Sequence, residues 1–193
     1  AMLLKIRHQS KYHYDKPVPY ALQRLRMTPR TCSVQTVLDW KVSCHKATAE
    51  VMYTDGFENI VELIRHERNA SEITLVAEGT ISTLDTAGVY GYDPVNIPTS
   101  MFLRETPLTL PGTGISNVAE DMGKIVGELD RMHALKEMLH ARLTFDTNAT
   151  DAKTKAETAL LNGHGVCQDY THIFISVARA TGVPARYVSG YLM

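Results

Sequence analysis

The stretch Asn162-Gly-His-Gly-Val-Cys-Gln-Asp-Tyr-Thr-His172 sets one cysteine, Cys167, directly after a glycine-rich turn and at the first turn of an amphipathic run. From Tyr170 the apolar residues fall at Ile173, Phe174, Val177 and Ala178, which is the i, i+3, i+4, i+7, i+8 spacing of a helix. Gly182 ends that helix and Pro184 stands just beyond it. A thiol at a helix N-terminus meets unpaired backbone N–H groups and the positive end of the macrodipole, and both favour thiolate. The competing reading is a buried structural cysteine, since free Cys is among the most buried residue types. Helical geometry sets Cys167 in the row Thr171, Phe174, Ala178. The thiol is therefore expected to face whatever packs on that helix rather than open water.

Working back from the turn, Thr154 and Glu157 form a Thr-x-x-Glu capping box for a short helix that Asn162-Gly163 ends. Gly163 and Gly165 permit positive φ and close backbone approach where a substrate carbonyl must come in. If Cys167 attacks that carbonyl, negative charge develops on its oxygen, and the N–H of Cys167 or its neighbour is a natural donor. Gln168 carries an amide that could bond to substrate. Asp169 lies in the first helical turn, where a carboxylate suits the dipole and can cap free N–H groups. For Asp169 a structural role is weighed against substrate placement.

These residues resemble the bacterial transglutaminase-like (cysteine peptidase-like) family. The match is carried by Gly163-His-Gly-Val-Cys-Gln-Asp-Tyr-Thr-His172 and by Val183-Pro-Ala-Arg-Tyr-Val-Ser-Gly-Tyr191. Ala149-Thr-Asp and Ala156-Glu-Thr-Ala-Leu160 look like the family's lead-in to the nucleophile. Residues 2–100 look, less specifically, like the β-rich region preceding such domains in bacterial members. The resemblance implies that Cys167 is the acyl-accepting nucleophile of a Cys-His-Asp triad. The family's His and Asp lie downstream of the Arg186–Tyr191 strand, so they are expected to be missing from these 193 residues and the chain to be inactive as it stands.

The histidines in hand offer no substitute. His172 is five residues after Cys167, roughly 140° around a helix from it. His164 sits in the turn, but the family gives it no triad role. His133 and His140 share a face of another helix, and His8, His13, His45 and His66 have no spacing that suggests a site. His164, Cys167 and His172 do not make a zinc site, because no second ligand pair is present. No metal or cofactor is expected.

A formal net charge of −1 and a pI near 6.8 leave no basic field for nucleic acid or an anionic membrane. No apolar run approaches the ~20 residues of a membrane span. Cys32, Cys44 and Cys167 make no disulfide framework, which suits a reducing compartment and points to the cytoplasm. Strands are expected at Lys5–Tyr14, Val34–Cys44, Phe57–Arg65 and Ile73–Leu84, the last alternating through Ile73, Leu75, Ala77, Gly79, Ile81 and Thr83. Residues 85–114, with Pro94, Pro98, Pro107 and Pro111, read as an irregular connector. Asn117 and Glu120 signal a helix start, with Val118, Met122, Ile125, Val126 and Leu129 inward and a break near Gly127. A further helix spans about Asp130–Ala141.

The expected fold is α+β. An antiparallel β domain over residues 1–98 precedes the helical front half of a transglutaminase-like (papain-like) cysteine catalytic domain over 99–193, cut short at its C-terminus. The expected chemistry is that of a cysteine protease or acyltransferase acting on peptide, isopeptide or glutamine amides through a thioester. Two other readings stand beside it: a protein-binding or scaffolding module with a vestigial site, and a redox-active lone thiol. Protein or peptide substrates are the expected partners. Tyr187, Ser189 and Tyr191 alternate with Arg186, Val188, Gly190 and Leu192 in a final strand, Ala185–Met193, whose unpaired edge invites a homodimer.

Overall fold

A computed structural model describes residues 1–91, 97–148 and 150–191. Pro94, Ala149, Leu192 and Met193, which enter the reading above, lie outside the described residues. The fold is α+β, and the chain divides into two compact units, Ala1–Ile97 and Pro98–Met193.

The first unit holds two three-stranded antiparallel sheets. In one, β6 (Ala70–Thr83) lies between β1 (Met2–Val18) and β3 (Gln35–Cys44). In the other, β5 (Ile60–His66) lies between β2 (Leu22–Thr28) and β4 (Ala47–Thr54). The two central strands carry the burial. Ile73, Leu75, Ala77 and Ile81 of β6 are buried, as its alternation requires, with Val61 and Ile64 of β5. Leu25, Ile64, Ile73 and Leu75 form one cluster, so the sheets meet through their apolar faces. Strands β2 and β4 lie outside the strands expected from the sequence. Each is an edge strand, with only Leu25 buried in β2 and nothing in β4, so neither shows a period that marks a buried face.

The second unit contains a short 3-10 helix (Thr99–Leu103) and helices α1 (Thr113–Gly123), α2 (Glu128–Arg142), α3 (Ala156–Asn162) and α4 (Cys167–Ala180). Ile115 and Val118 of α1, Leu135 and Leu139 of α2, Ala159 and Leu160 of α3, and Ile173 and Val177 of α4 share one core. Two-residue strands β7 (Thr144–Phe145) and β8 (His164–Gly165) pair in parallel and deliver the chain to α4.

Helix α1 begins at Thr113, ahead of the Asn117 signal, because its N-terminus is capped from far along the chain. The Glu157 carboxylate accepts the N–H groups of Gly112 (3.1 Å), Gly114 (2.6 Å) and Ile115 (2.9 Å). That contact also overturns the expected capping box. Lys155, not Thr154, precedes α3, and the Thr154 hydroxyl donates instead to Asp151. Val126 and Leu129 are exposed rather than inward, since the helix breaks after Gly123 and restarts past Gly127 at φ 95°.

The expected strand from Ala185 is likewise absent: Ala185 to Tyr191 carries no ladder among the described residues. Its start is tied down by other means. The N–H of Ala185 donates to the Phe102 carbonyl (3.1 Å), and the Ala185 carbonyl accepts from Nη2 of Arg179 (2.8 Å). The same guanidinium reaches the carbonyls of Phe102 (2.9 Å) and Arg104 (2.9 Å) and the Thr109 hydroxyl (3.1 Å). Burial of this cation among neutral acceptors pushes its pKa down.

Candidate active site

The turn that presents Cys167 is built from three constraints. Gly163 ends α3 in the left-handed region at φ 73°, where a side chain would be strained. β8 then pairs with β7, with Thr144 N–H donating to Gly163 O (2.9 Å) and Asp146 N–H to Gly165 O (3.0 Å). Val166 caps α4 in an extended conformation, and Cys167 is the first helical residue.

The expectation that the thiol faces the helix packing is overturned: Cys167 is exposed, whereas Cys32 and Cys44 are partly buried. One turn further along α4 the rows diverge. Ile173 and Val177 enter the core, while in the row of Cys167 the residues Thr171 and Phe174 are only half-buried and burial is complete only at Ala178. Being at the first turn, Cys167 lies at the end of its row, with no preceding helical turn to cover it.

Gly165 is buried and does not have the positive φ expected of it; the absence of a side chain there makes room for Asp169. A Cβ there would stand 2.7 Å from both Cβ and Oδ2 of Asp169. Asp169 itself is buried at 1% exposure. Its Oδ2 accepts the Val166 N–H (2.8 Å) and the Thr150 hydroxyl (2.6 Å), while Oδ1 is buried without a partner among the described residues. The Gln168 amide, offered above to a substrate, donates to the Ala152 carbonyl (3.3 Å). Tyr170 anchors the same helix by donating its hydroxyl to the Leu143 carbonyl (2.7 Å).

Cys167 and Gln168 supply the first two N–H groups of α4, which have no acceptor inside the helix. No side-chain cap bonds to them among the described residues. An exposed thiol beside free N–H donors is an arrangement that can form a thioester and stabilise the oxyanion preceding it.

The histidines are placed elsewhere. His172 turns into the second unit, 9% exposed, with its ring 5.5 Å from that of Tyr187. Burial pushes its imidazole below the usual range, and the Asp169 carboxylate partly offsets this. His164 stands in the turn with its Nδ1 buried and without a partner among the described residues. His133 and His140 are both exposed on α2. No described His or other polar side chain is hydrogen-bonded to the Cys167 thiol. Among the described residues no group of three His, Cys, Asp or Glu could hold a metal ion, and no helix is long and apolar enough to cross a membrane.

Thr150, whose hydroxyl donates to Asp169 in this turn, carries no local signal in the sequence: it sits 17 positions before Cys167, too far for any local spacing to link them.

Residues 4–82 match the bacterial transglutaminase-like N-terminal region, and residues 116–193 match the transglutaminase-like superfamily. An uncharacterized protein of Mycobacterium leprae is 26% identical over 98% of this chain and 71% of its own length. Uncharacterized proteins of Mycobacterium bovis and Mycobacterium tuberculosis are 24% identical over 97% of the chain and 65% of theirs. A crystal structure from Cytophaga hutchinsonii, described as a candidate cysteine protease, superposes with a TM-score of 0.76 at 17% identity. It covers 95% of this chain and 65% of that one. The chain thus spans about two thirds of the length of these proteins. The two matches follow one another along the chain: a segment similar to the bacterial transglutaminase-like N-terminal region, then one similar to the transglutaminase-like superfamily.

Proposed function

We propose that Cys167 is the acyl-accepting nucleophile of a cysteine amidohydrolase or acyltransferase whose substrates are protein or peptide amides. The carrying observation is its exposure at the first position of α4, beside unpaired N–H groups. In the reaction, the sulfur attacks the amide carbonyl, ammonia or an amine leaves, and water or another amine resolves the thioester. Gln168 and Asp169 contribute by holding the turn rather than by touching substrate, given their bonds to Ala152, Val166 and Thr150.

No described histidine is assigned as base, and general acid–base help typically contributes about 10²–10⁴-fold. We therefore expect this 193-residue chain to be acylated but to turn over amides negligibly. Three unpaired thiols fit a reducing compartment, and we place the protein in the cytoplasm. We also propose that two copies pair through the segment after Pro184, where Tyr187, Val188 and Tyr191 are exposed.

Peptide electrophiles test the substrate class. One peptide carries a ketone electrophile in place of the scissile peptide bond, and another carries it in place of the glutamine side-chain amide. Peptide mass spectrometry should find at least one of them on Cys167, and neither on Cys32 or Cys44. Failure of both, while iodoacetamide still labels Cys167, favours a binding module with a vestigial site.

A further inference from the structure

We infer that Thr150, acting through Asp169, is a positioning residue that fixes the Cys167 and Gln168 N–H groups for the oxyanion of acyl transfer. The inference rests on the reading of Cys167 as the acyl acceptor. The Asp169 carboxylate holds the nucleophile turn through a single oxygen: Oδ2 takes both the Thr150 hydroxyl and the Val166 N–H, at 2.6 and 2.8 Å. Its second oxygen is buried with no partner among the described residues. The carboxylate's rotation is therefore set by what bonds Oδ2, and Thr150 is the one side chain among the described residues that does so.

The packing allows little compensation. Gly165 leans against the Asp169 side chain at a distance that excludes a Cβ, so a rotated carboxylate presses on the turn itself. Val166 stands between them as the N-cap of α4, with its N–H taken by Asp169 and its carbonyl accepting from Asp169 N–H (2.9 Å) and Tyr170 N–H (3.2 Å). A shift of Val166 is carried directly into the next two peptide units. Those units bear the N–H groups that must meet a developing oxyanion, where displacements on the order of 1 Å cost about 10²-fold.

Two reactions at the same sulfur separate positioning from general integrity. With p-nitrophenyl acetate, the thiol first gives its proton to solvent. The S–C bond then forms as the carbonyl π pair moves onto oxygen. That oxyanion collapses, expels p-nitrophenolate and leaves a thioester on Cys167. With iodoacetamide, the S–C bond forms as the C–I bond breaks and iodide leaves, so no oxyanion appears. Only the first reaction calls on the N–H groups.

The test measures both rates at Cys167 by peptide mass spectrometry in the full chain and in Thr150→Val and Thr150→Ser. We expect Thr150→Val to slow acylation by roughly tenfold or more with alkylation changed less than about twofold. Thr150→Ser, which restores the hydroxyl, should restore acylation. If Thr150→Val loses its far-UV dichroism, Thr150→Ala removes the hydroxyl without adding bulk and should show the same ratio. Equal slowing of both reactions, or no slowing of acylation while the unsubstituted chain is acylated, overturns the role of Thr150 alone. Absence of acylation at Cys167 in the unsubstituted chain overturns the underlying reading as well.

Discussion

Removing the Glu157 carboxylate should destabilise the second unit more than an ordinary helix substitution. In the structure Oε1 accepts the Gly114 N–H, and Oε2 accepts those of Gly112 and Ile115. These three donors lie at the N-cap and first turn of α1, and no side chain at the N-cap can replace the carboxylate because that residue is Gly112. Loss of an N-cap costs about 0.5–2 kcal/mol, and a hydrogen bond to a charged group contributes about 1.5–3 kcal/mol. Glu157 is only partly buried, so water recovers some of the loss. For Glu157→Ala we expect a net cost of about 3 kcal/mol, which shifts the midpoint of a domain this size by roughly 12–24 °C. Glu157→Gln should cost about half as much, since one oxygen remains and the amide NH₂ opposes the other N–H. The four α-helices of the described residues lie in the second unit, so thermal melts followed by circular dichroism at helical wavelengths report on it. A midpoint within about 2 °C of the unsubstituted chain for Glu157→Ala would refute the reasoning.

Substitutions at two further residues probe the units separately. In the first unit, His66 is 2% exposed, with Nε2 2.8 Å from Gln23 Oε1 and Nδ1 3.7 Å from the Cys44 sulfur. Burial lowers its pKa in the folded state, so the unfolded chain binds the proton more readily. Stability is then complete above the unfolded value near 6.5 and falls as pH drops toward the lower folded value. Urea titrations followed by the fluorescence of Trp40 should show this slope, and His66→Gln should flatten it. In the second unit, Arg179→Met should cost about 3 kcal/mol or more by leaving the carbonyls of Phe102, Arg104 and Ala185 short of their donor. Arg179→Lys should recover only part of this, because an ammonium cannot reproduce the planar fork. Urea midpoints by circular dichroism check both.

The parts of the fold that could be read in the chain are those where burial imposes a period. Strand β6 is central in its sheet, and its alternation from Ile73 to Ile81 is visible because one face is packed along its whole length. Strands β2 and β4 are not legible in the sequence because an edge strand bonds through its backbone on one side and leaves few side chains with a required polarity. The start of α1 was hidden for a different reason. Its cap is Glu157, more than forty residues away, so no window around Gly112 contains the signal. Ala185 to Tyr191 alternates like a strand, but alternation supplies side-chain polarity and not a partner strand. In the site, the glycine turn and the position of Cys167 at a helix start were legible, because Gly163 and the apolar run from Tyr170 are local features. The exposure of the thiol and the Thr150–Asp169–Val166 connection were not, since both depend on what the turn packs against.

The most direct measurement is a stoichiometric one. Mixed with excess p-nitrophenyl acetate, the chain should release about one equivalent of p-nitrophenolate in a rapid phase, as expected for an acyl-enzyme that is slow to resolve. Hydroxylamine should release the acyl group, mass spectrometry should place it on Cys167, and Cys167→Ser should abolish the rapid phase. Release that stays linear from the start, or a rapid phase that survives in Cys167→Ser, would contradict Cys167 as the acyl-accepting nucleophile.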